Sequence, residues 1–305
     1  MTTVPMKIVQ TPAERFVGLP GWPYDSVTVE VEAGDGSPRL RMAAVDEGPR
    51  GAPVVLLLHG EPSWSYLYRK MIGPLVAAGY RVVAPDLVGF GRSDKPTERT
   101  LYTYARHVAW VRALVDALGL DGITLFCQDW GGLIGLRLVG EQPDRFARVC
   151  AANTFLPTGD RRPPDAFFAW QQFSQTVPEL PVGGIVRRGC AREMPDDVAA
   201  AYDAPYPSEE SKAGARQFPT LVPTSPDDPA APANRRAWEG LARYTRPFLT
   251  LFGDSDPITR GGERALQAKI PGAAGQPHAT IARAGHFLQE DAGEELADRL
   301  VAWMR

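Results

Sequence analysis

Ile123-Thr-Leu-Phe-Cys-Gln-Asp129-Trp-Gly-Gly-Leu-Ile-Gly135 decides how this chain is read. An apolar run leads into a sharp turn and then into a helix-like stretch, with Cys127 and Gly131 as small residues on either side of Asp129. This is the small-x-nucleophile-x-small layout of a nucleophile elbow. Small neighbours are required because the residue at the apex takes up a strained backbone and the helix passes close to the strand. A serine at the apex would need a base to remove its proton. An aspartate is already ionised near neutral pH, so it attacks directly and suits displacement at saturated carbon. Asp is also a favoured helix N-cap, and taken alone the turn leaves both roles open.

Around this elbow the pattern alternates. Val27–Glu32 alternates apolar and polar residues, and Arg39–Asp46 follows a Gly/Asp/Ser turn, so both read as strands. Near-continuous apolar runs at Val54–Leu58, Arg81–Ala84, Ile123–Phe126 and Val149–Ala152 suit parallel strands buried on both faces. Helical patterns at Tyr66–Ala78, Tyr104–Leu118 and Gly132–Glu141 separate them. Strand and helix in alternation predict an α/β class, a mostly parallel doubly wound sheet. The alternation stops after Asn153. Residues 155–235 hold 13 of the 29 prolines and only short helical pieces, such as Pro164–Ser174 and Pro195–Asp203. Phe167, Phe168, Trp170, Phe173, Tyr202 and Tyr206 make this stretch too aromatic for a disordered linker. It is expected to be a helical cap inserted in a core formed by residues 1–154 and 236–305. The core pattern resumes at Pro247–Phe252, Glu263–Ile270, His278–Ile281 and Glu294–Trp303.

Composition narrows the class. A chain of 305 residues with 44% hydrophobic and 23% charged content is ordinary for a globular protein with a substantial core. Its net charge of −3 gives no electrostatic case for nucleic acid or an anionic membrane. Cys127, Cys150 and Cys190 are too few and too scattered for a disulfide framework or a metal site. The start, Met1–Ile8, lacks the apolar core of a secretory signal, and no apolar run could span a bilayer. A cytoplasmic monomer that needs no metal or organic cofactor is expected.

Two further groups follow in the chain order nucleophile, acid, base. Gly253-Asp-Ser-Asp256-Pro257 places carboxylates beyond a strand end, where open α/β sheets build their sites. Ala284-Gly-His286-Phe287 does the same for a histidine after the last strand. Asp256 is preferred as the acid because it lies further beyond the strand than Asp254, which stays open as its rival. His59-Gly-Glu-Pro62 ends another apolar run, so the backbone N–H of Glu61, with that of Trp130, forms the expected oxyanion hole. A plain strand-ending turn would use the same Gly and Pro.

His59-Gly-Glu-Pro-Ser-Trp-Ser-Tyr-Leu-Tyr-Arg-Lys70, Asp86-Leu-Val-Gly-Phe-Gly-Arg-Ser-Asp-Lys-Pro96, Cys127-Gln-Asp-Trp-Gly-Gly132 and Gly285-His-Phe-Leu-Gln-Glu-Asp291 resemble the haloalkane dehalogenases. These are α/β-hydrolases with Asp129 where most relatives carry a serine. The resemblance spans nearly the whole chain and implies an Asp129–His286–Asp256 triad. It places a halide-binding tryptophan in the cap, matching Trp170 in Phe168-Ala-Trp-Gln-Gln-Phe-Ser174. Another branch has Asn as a halide ligand at the position of Glu61; its absence here favours the tryptophan. Leu133, Phe167, Phe218, Pro219, Val222 and Ile258 match or adjoin positions lining the family's dry pocket.

The chemistry fits those residue types. A breaking carbon–halogen bond pushes negative charge onto the halogen, and indole N–H groups are donors only. Trp130 and Trp170 can therefore hold the departing halide, while Trp22, Trp110, Trp238 and Trp303 read as core. The implied partners are a small haloalkane and a halide ion product. The implied reaction is hydrolytic, through an alkyl ester on Asp129. An epoxide hydrolase is the alternative with the same nucleophile; it would need acidic donors, for which Tyr202 and Tyr206 are candidates.

Overall fold

A computed structural model describes residues 6–305. The parts of the expectations above that fall on residues 1–5, the start of the chain and of the core, lie outside them. Eight strands form the main sheet: β1 (Val27–Val31), β2 (Leu40–Glu47), β3 (Val54–Leu58), β4 (Arg81–Pro85), β5 (Ile123–Gln128), β6 (Phe146–Ala152), β7 (Phe248–Gly253) and β8 (Ala279–Ile281). Their order across the sheet is β8-β7-β6-β5-β3-β4-β2-β1. Only the pairings that involve β2 are antiparallel; from β4 to β8 the sheet is parallel. Every residue of β3, β4, β5 and β7 is buried, which is what the continuous apolar runs require. β1 alternates half-buried and exposed residues at the open edge.

The helices of the core are α1 (Arg69–Ala77), α2 (Tyr104–Ala117), α3 (Trp130–Glu141), α9 (Gly262–Lys269) and α10 (Leu288–Met304), with α8 (Ala231–Leu241) packed on α3. Between β6 and α8 run α4 (Asp165–Thr176), α5 (Val182–Gly189), α6 (Asp196–Asp203) and α7 (Ala213–Gln217). The expected boundary at residue 235 falls inside α8, whose Asn234 accepts a hydrogen bond from Arg137 of α3 at 3.1 Å. The last helix starts six residues before the expected Glu294, and its opening turn is set off by a kink at Ala292 (φ −145°). Among the described residues no helix is long and apolar enough to cross a membrane, and no group of three or more His, Cys, Asp or Glu is placed to hold a metal ion.

Strand order reverses between β3 and β5, which lie side by side with Leu58 opposite Cys127. The chain leaves β3 toward β4 on one side, then returns to add β5 on the other. Such a switch point leaves a crevice at the strand C-termini, and the loops after β3 and β5 both open into it.

Candidate active site

β5 delivers the elbow. Asp129 has φ 50° and ψ −126°, a conformation that costs of order 1–3 kcal/mol in a non-glycine residue. Its neighbours hold it there. Its N–H donates to the Asn153 carbonyl at 3.0 Å, and Thr154 Oγ1 donates to its carbonyl at 2.7 Å. α3 then passes so close to β3 that a Cβ on Gly131 would sit 1.9 Å from the Leu58 carbonyl oxygen, so only glycine fits. Asp129 occupies the N-cap position of α3, yet its side chain makes no capping bond. The carboxylate turns into the crevice instead. Oδ1 accepts the Glu61 N–H at 2.8 Å, and Oδ2 lies 3.4 Å from His286 Nε2.

His286 follows β8, and its Nδ1 is 3.0 Å from Asp256 Oδ2. Asp256 is buried beyond β7 and accepts the Ile258 N–H at 2.8 Å as well as bonds from Thr259. Burial works against its charge, but His286 and these donors hold its carboxyl below the usual range. Burial likewise works against a charged His286. Asp256 foremost, and Asp129 with it, outweigh that and hold the imidazole pKa well above its ordinary value. Asp254 points elsewhere: it is exposed, and accepts bonds from Ser255 and the Arg283 N–H while the latter residue turns at φ 52°. The geometry therefore joins Asp129, His286 and Asp256 in one chain of contacts and leaves Asp254 as a turn residue.

A cavity of about 1160 Å³ opens above them. Glu61, Asp129, Trp130, Leu133, Phe167, Trp170, Pro219, Val222, Ile258 and His286, all read as site residues from the sequence, line it. Phe218 does not: the expectation is corrected, because Phe218 is fully buried behind the wall, edge-on to Trp130 with ring centroids 4.6 Å apart. It backs the indole rather than facing a ligand. The Glu61 carboxyl is pushed well above its ordinary pKa, first by burial and then by the Asp129 charge, with the Trp170 indole as a donor that offsets little of this. Tyr202 and Tyr206 do not line the cavity. The Tyr202 hydroxyl donates to Glu290 and that of Tyr206 to the Pro62 carbonyl at 3.4 Å.

Two positioning residues went unread in the sequence. Asn153, at φ 37° just after β6, donates from Nδ2 to the carbonyls of Gly285 (2.7 Å) and His286 (3.1 Å) and accepts the Gly253 N–H at 2.8 Å. It ties together the loops that carry Asp129, Asp256 and His286. Gln128 Nε2 donates to the His286 carbonyl at 3.0 Å. The signal for Asn153 was present, since Asn after a strand is a residue that tolerates positive φ.

A model of the α/β-hydrolase fold matches residues 53–293. The chain is 58% identical to a haloalkane dehalogenase of Psychrobacter cryohalolentis, over 98% of both chains. It is 55% identical to one of Mycobacterium marinum, over 98% of this chain and 100% of that protein. Among solved structures it resembles a tetrameric haloalkane dehalogenase of Paraglaciecola agarilytica NO2, with TM-score 0.89, 39% identity and coverage of 96% of this chain and 97% of that one.

Proposed function

Since this chain belongs to the haloalkane dehalogenases of the α/β-hydrolase fold, enzymes that hydrolyse carbon–halogen bonds, we propose that Asp129 is the nucleophile, His286 the base and Asp256 the acid that orients it. A carboxylate oxygen of Asp129 attacks the halogen-bearing carbon, the carbon–halogen bond breaks, and halide leaves with the bonding pair. The Trp130 and Trp170 indole N–H groups receive that halide. In this mostly apolar cavity their bonds are stronger than in water.

The resulting alkyl ester carries no charge. One of the two carboxylates that raise the imidazole pKa is then gone, so His286 gives up its proton more readily and becomes a base. It takes a proton from water, which attacks the ester carbonyl carbon of Asp129. The backbone N–H groups of Glu61 and Trp130 stabilise the oxyanion. Collapse releases the alcohol and regenerates Asp129, so haloalkane and water give alcohol, halide and a proton.

The observation that carries this reading is the Asp129 carboxylate, held between the Glu61 N–H at 2.8 Å and His286 Nε2 at 3.4 Å. The epoxide alternative needs hydroxyl donors in the cavity, and the two candidate tyrosines are engaged elsewhere. Incubation with 1-bromobutane and with styrene oxide, following bromide and diol, tests the choice: bromide release is expected, and diol without bromide overturns it. Asp129→Ala should abolish bromide release while circular dichroism stays unchanged. The cap is proposed to comprise the helices between β6 and α8. The chain is proposed to work in the cytoplasm as a monomer; sedimentation of the purified protein would distinguish that from a tetramer like its relative.

A further inference from the structure

Small haloalkanes would occupy only part of a cavity of about 1160 Å³, larger than the roughly 300–1,000 Å³ of ordinary small-molecule sites. Its floor is apolar and aromatic around Asp129. Its open end is not. Six cationic side chains line the cavity against one carboxylate, Asp160, outside the buried floor, although the whole chain carries a net charge of −3. Two of these cations are spoken for: Arg235 pairs with Asp160 at 3.0 Å and Arg162 with Asp165 at 2.7 Å. Arg161, Arg188, Arg260 and Lys269 have no carboxylate within salt-bridge distance among the described residues, and all four are exposed. The Arg188 guanidinium lies 5.6 Å from the Phe173 ring and Lys269 Nζ 5.1 Å from that of Trp238, contacts that orient a cation without neutralising it. Asp254 is near enough to Arg260 to feel its charge, but it lies outside the lining and holds its own turn.

These cations come from four separate places: the loop before α4, the end of α5, the loop after β7 and the end of α9. They converge only at the cavity. Resting on the dehalogenase reading above, we propose that the preferred substrates are haloalkanes with an anionic far end, such as ω-halocarboxylates, whose carbon–halogen bond reaches Asp129 while the anion stays at the cationic mouth. An apolar linker then crosses the aromatic middle of the cavity, which an ion would leave water to enter only at high cost. The long-range field of a basic mouth also raises capture of an anionic substrate over a neutral one.

The test measures bromide release from 6-bromohexanoate, 8-bromooctanoate and 11-bromoundecanoate against the ω-bromoalcohols of equal length, in halide-free buffer of low ionic strength. At one or more lengths the carboxylate should exceed the alcohol in kcat/KM by roughly fivefold, the size expected of a few exposed charges. The variant Arg161→Gln/Arg188→Gln/Arg260→Gln, which leaves only Lys269 of the four, should remove most of that advantage through KM while leaving kcat for the bromoalcohols unchanged. Should the triple variant fold poorly, Arg188→Gln and Arg260→Gln separately should each reduce it. Carboxylates no better than alcohols at every length, with 1-bromobutane still turned over, would overturn the proposal alone. So would an advantage undiminished in the variants. Failure to release bromide from 1-bromobutane as well would instead bring down the dehalogenase reading, and this proposal with it.

Discussion

Asp129 and Asn153, two non-glycine residues at positive φ (50° and 37°), meet at the ends of neighbouring strands, where the Asp129 N–H donates to the Asn153 carbonyl at 3.0 Å. Each would relax if released, and each is held by bonds to the other and to the loops around. The Asn153 amide completes the arrangement by binding the Gly253 N–H and the carbonyls of Gly285 and His286. Asn153→Ala leaves these buried groups without partners, which should cost about 1–3 kcal/mol or more in urea unfolding. In the fraction still folded, His286 loses its anchor, so turnover should fall further than bromide affinity. Equal losses in both would make Asn153 a structural residue only.

The sheet was legible because strands buried on both faces are largely apolar, as Val54–Leu58 is throughout and Ile123–Gln128 is apart from Thr124 and Gln128. The elbow was legible because its close approach demands small residues at fixed offsets around Asp129. Less visible was whatever tertiary packing alone decides. α5 went unread because Gly183, Gly184 and Gly189 weaken a helical pattern, yet a Cβ on Gly183 would sit 2.1 Å from the Ala199 carbonyl of α6, so glycine is what lets these helices touch. Phe218 stands one residue before a cavity-lining proline, and sequence alone does not say which of the two faces inward. Asp254 and Asp256 differ by two positions, and only the path of the turn separates an exposed carboxylate from the one 3.0 Å from His286.

The proposed halide site predicts a spectroscopic effect. Trp130→Phe and Trp170→Phe keep most of the aromatic bulk and delete one N–H donor each. Losing a preorganised donor costs ~2.7–4 kcal/mol at an oxyanion, and the diffuse charge of a halide should cost less. Bromide should quench tryptophan fluorescence of the wild type with saturation, and bind more weakly to either variant. Unchanged affinity in Trp170→Phe would remove that residue from the halide site.

In the proposed mechanism Asp256 sets the pH dependence of the second step. Ester hydrolysis needs neutral His286, so its rate rises as pH passes through the imidazole pKa of the ester form. In the unmodified enzyme Asp256 raises the imidazole pKa more than any other group, and it stays in place when Asp129 is esterified. Asp256→Asn should therefore move the rising limb of single-turnover ester hydrolysis to lower pH. It should also lower the plateau by as much as ~10⁴-fold, since the amide no longer favours the required tautomer. A limb that stays in place, or moves to higher pH, would mean that another group titrates.

His286→Phe separates the two steps most sharply. A carboxylate needs no base to displace halide, so Asp129 should still react, while nothing remains to activate the hydrolytic water. Quenched-flow measurement should record a burst of about one bromide per active site and then near silence, the signature of a stalled covalent intermediate. Intact mass should rise by the alkyl group, and peptide mapping should place it on Asp129. Repeated turnover by the folded variant would show that His286 is not the base. Substrate binding without bromide release or added mass would mean that His286 acts before or during carbon–halogen cleavage. Its 3.4 Å approach to Asp129 would then serve the first step and not the second.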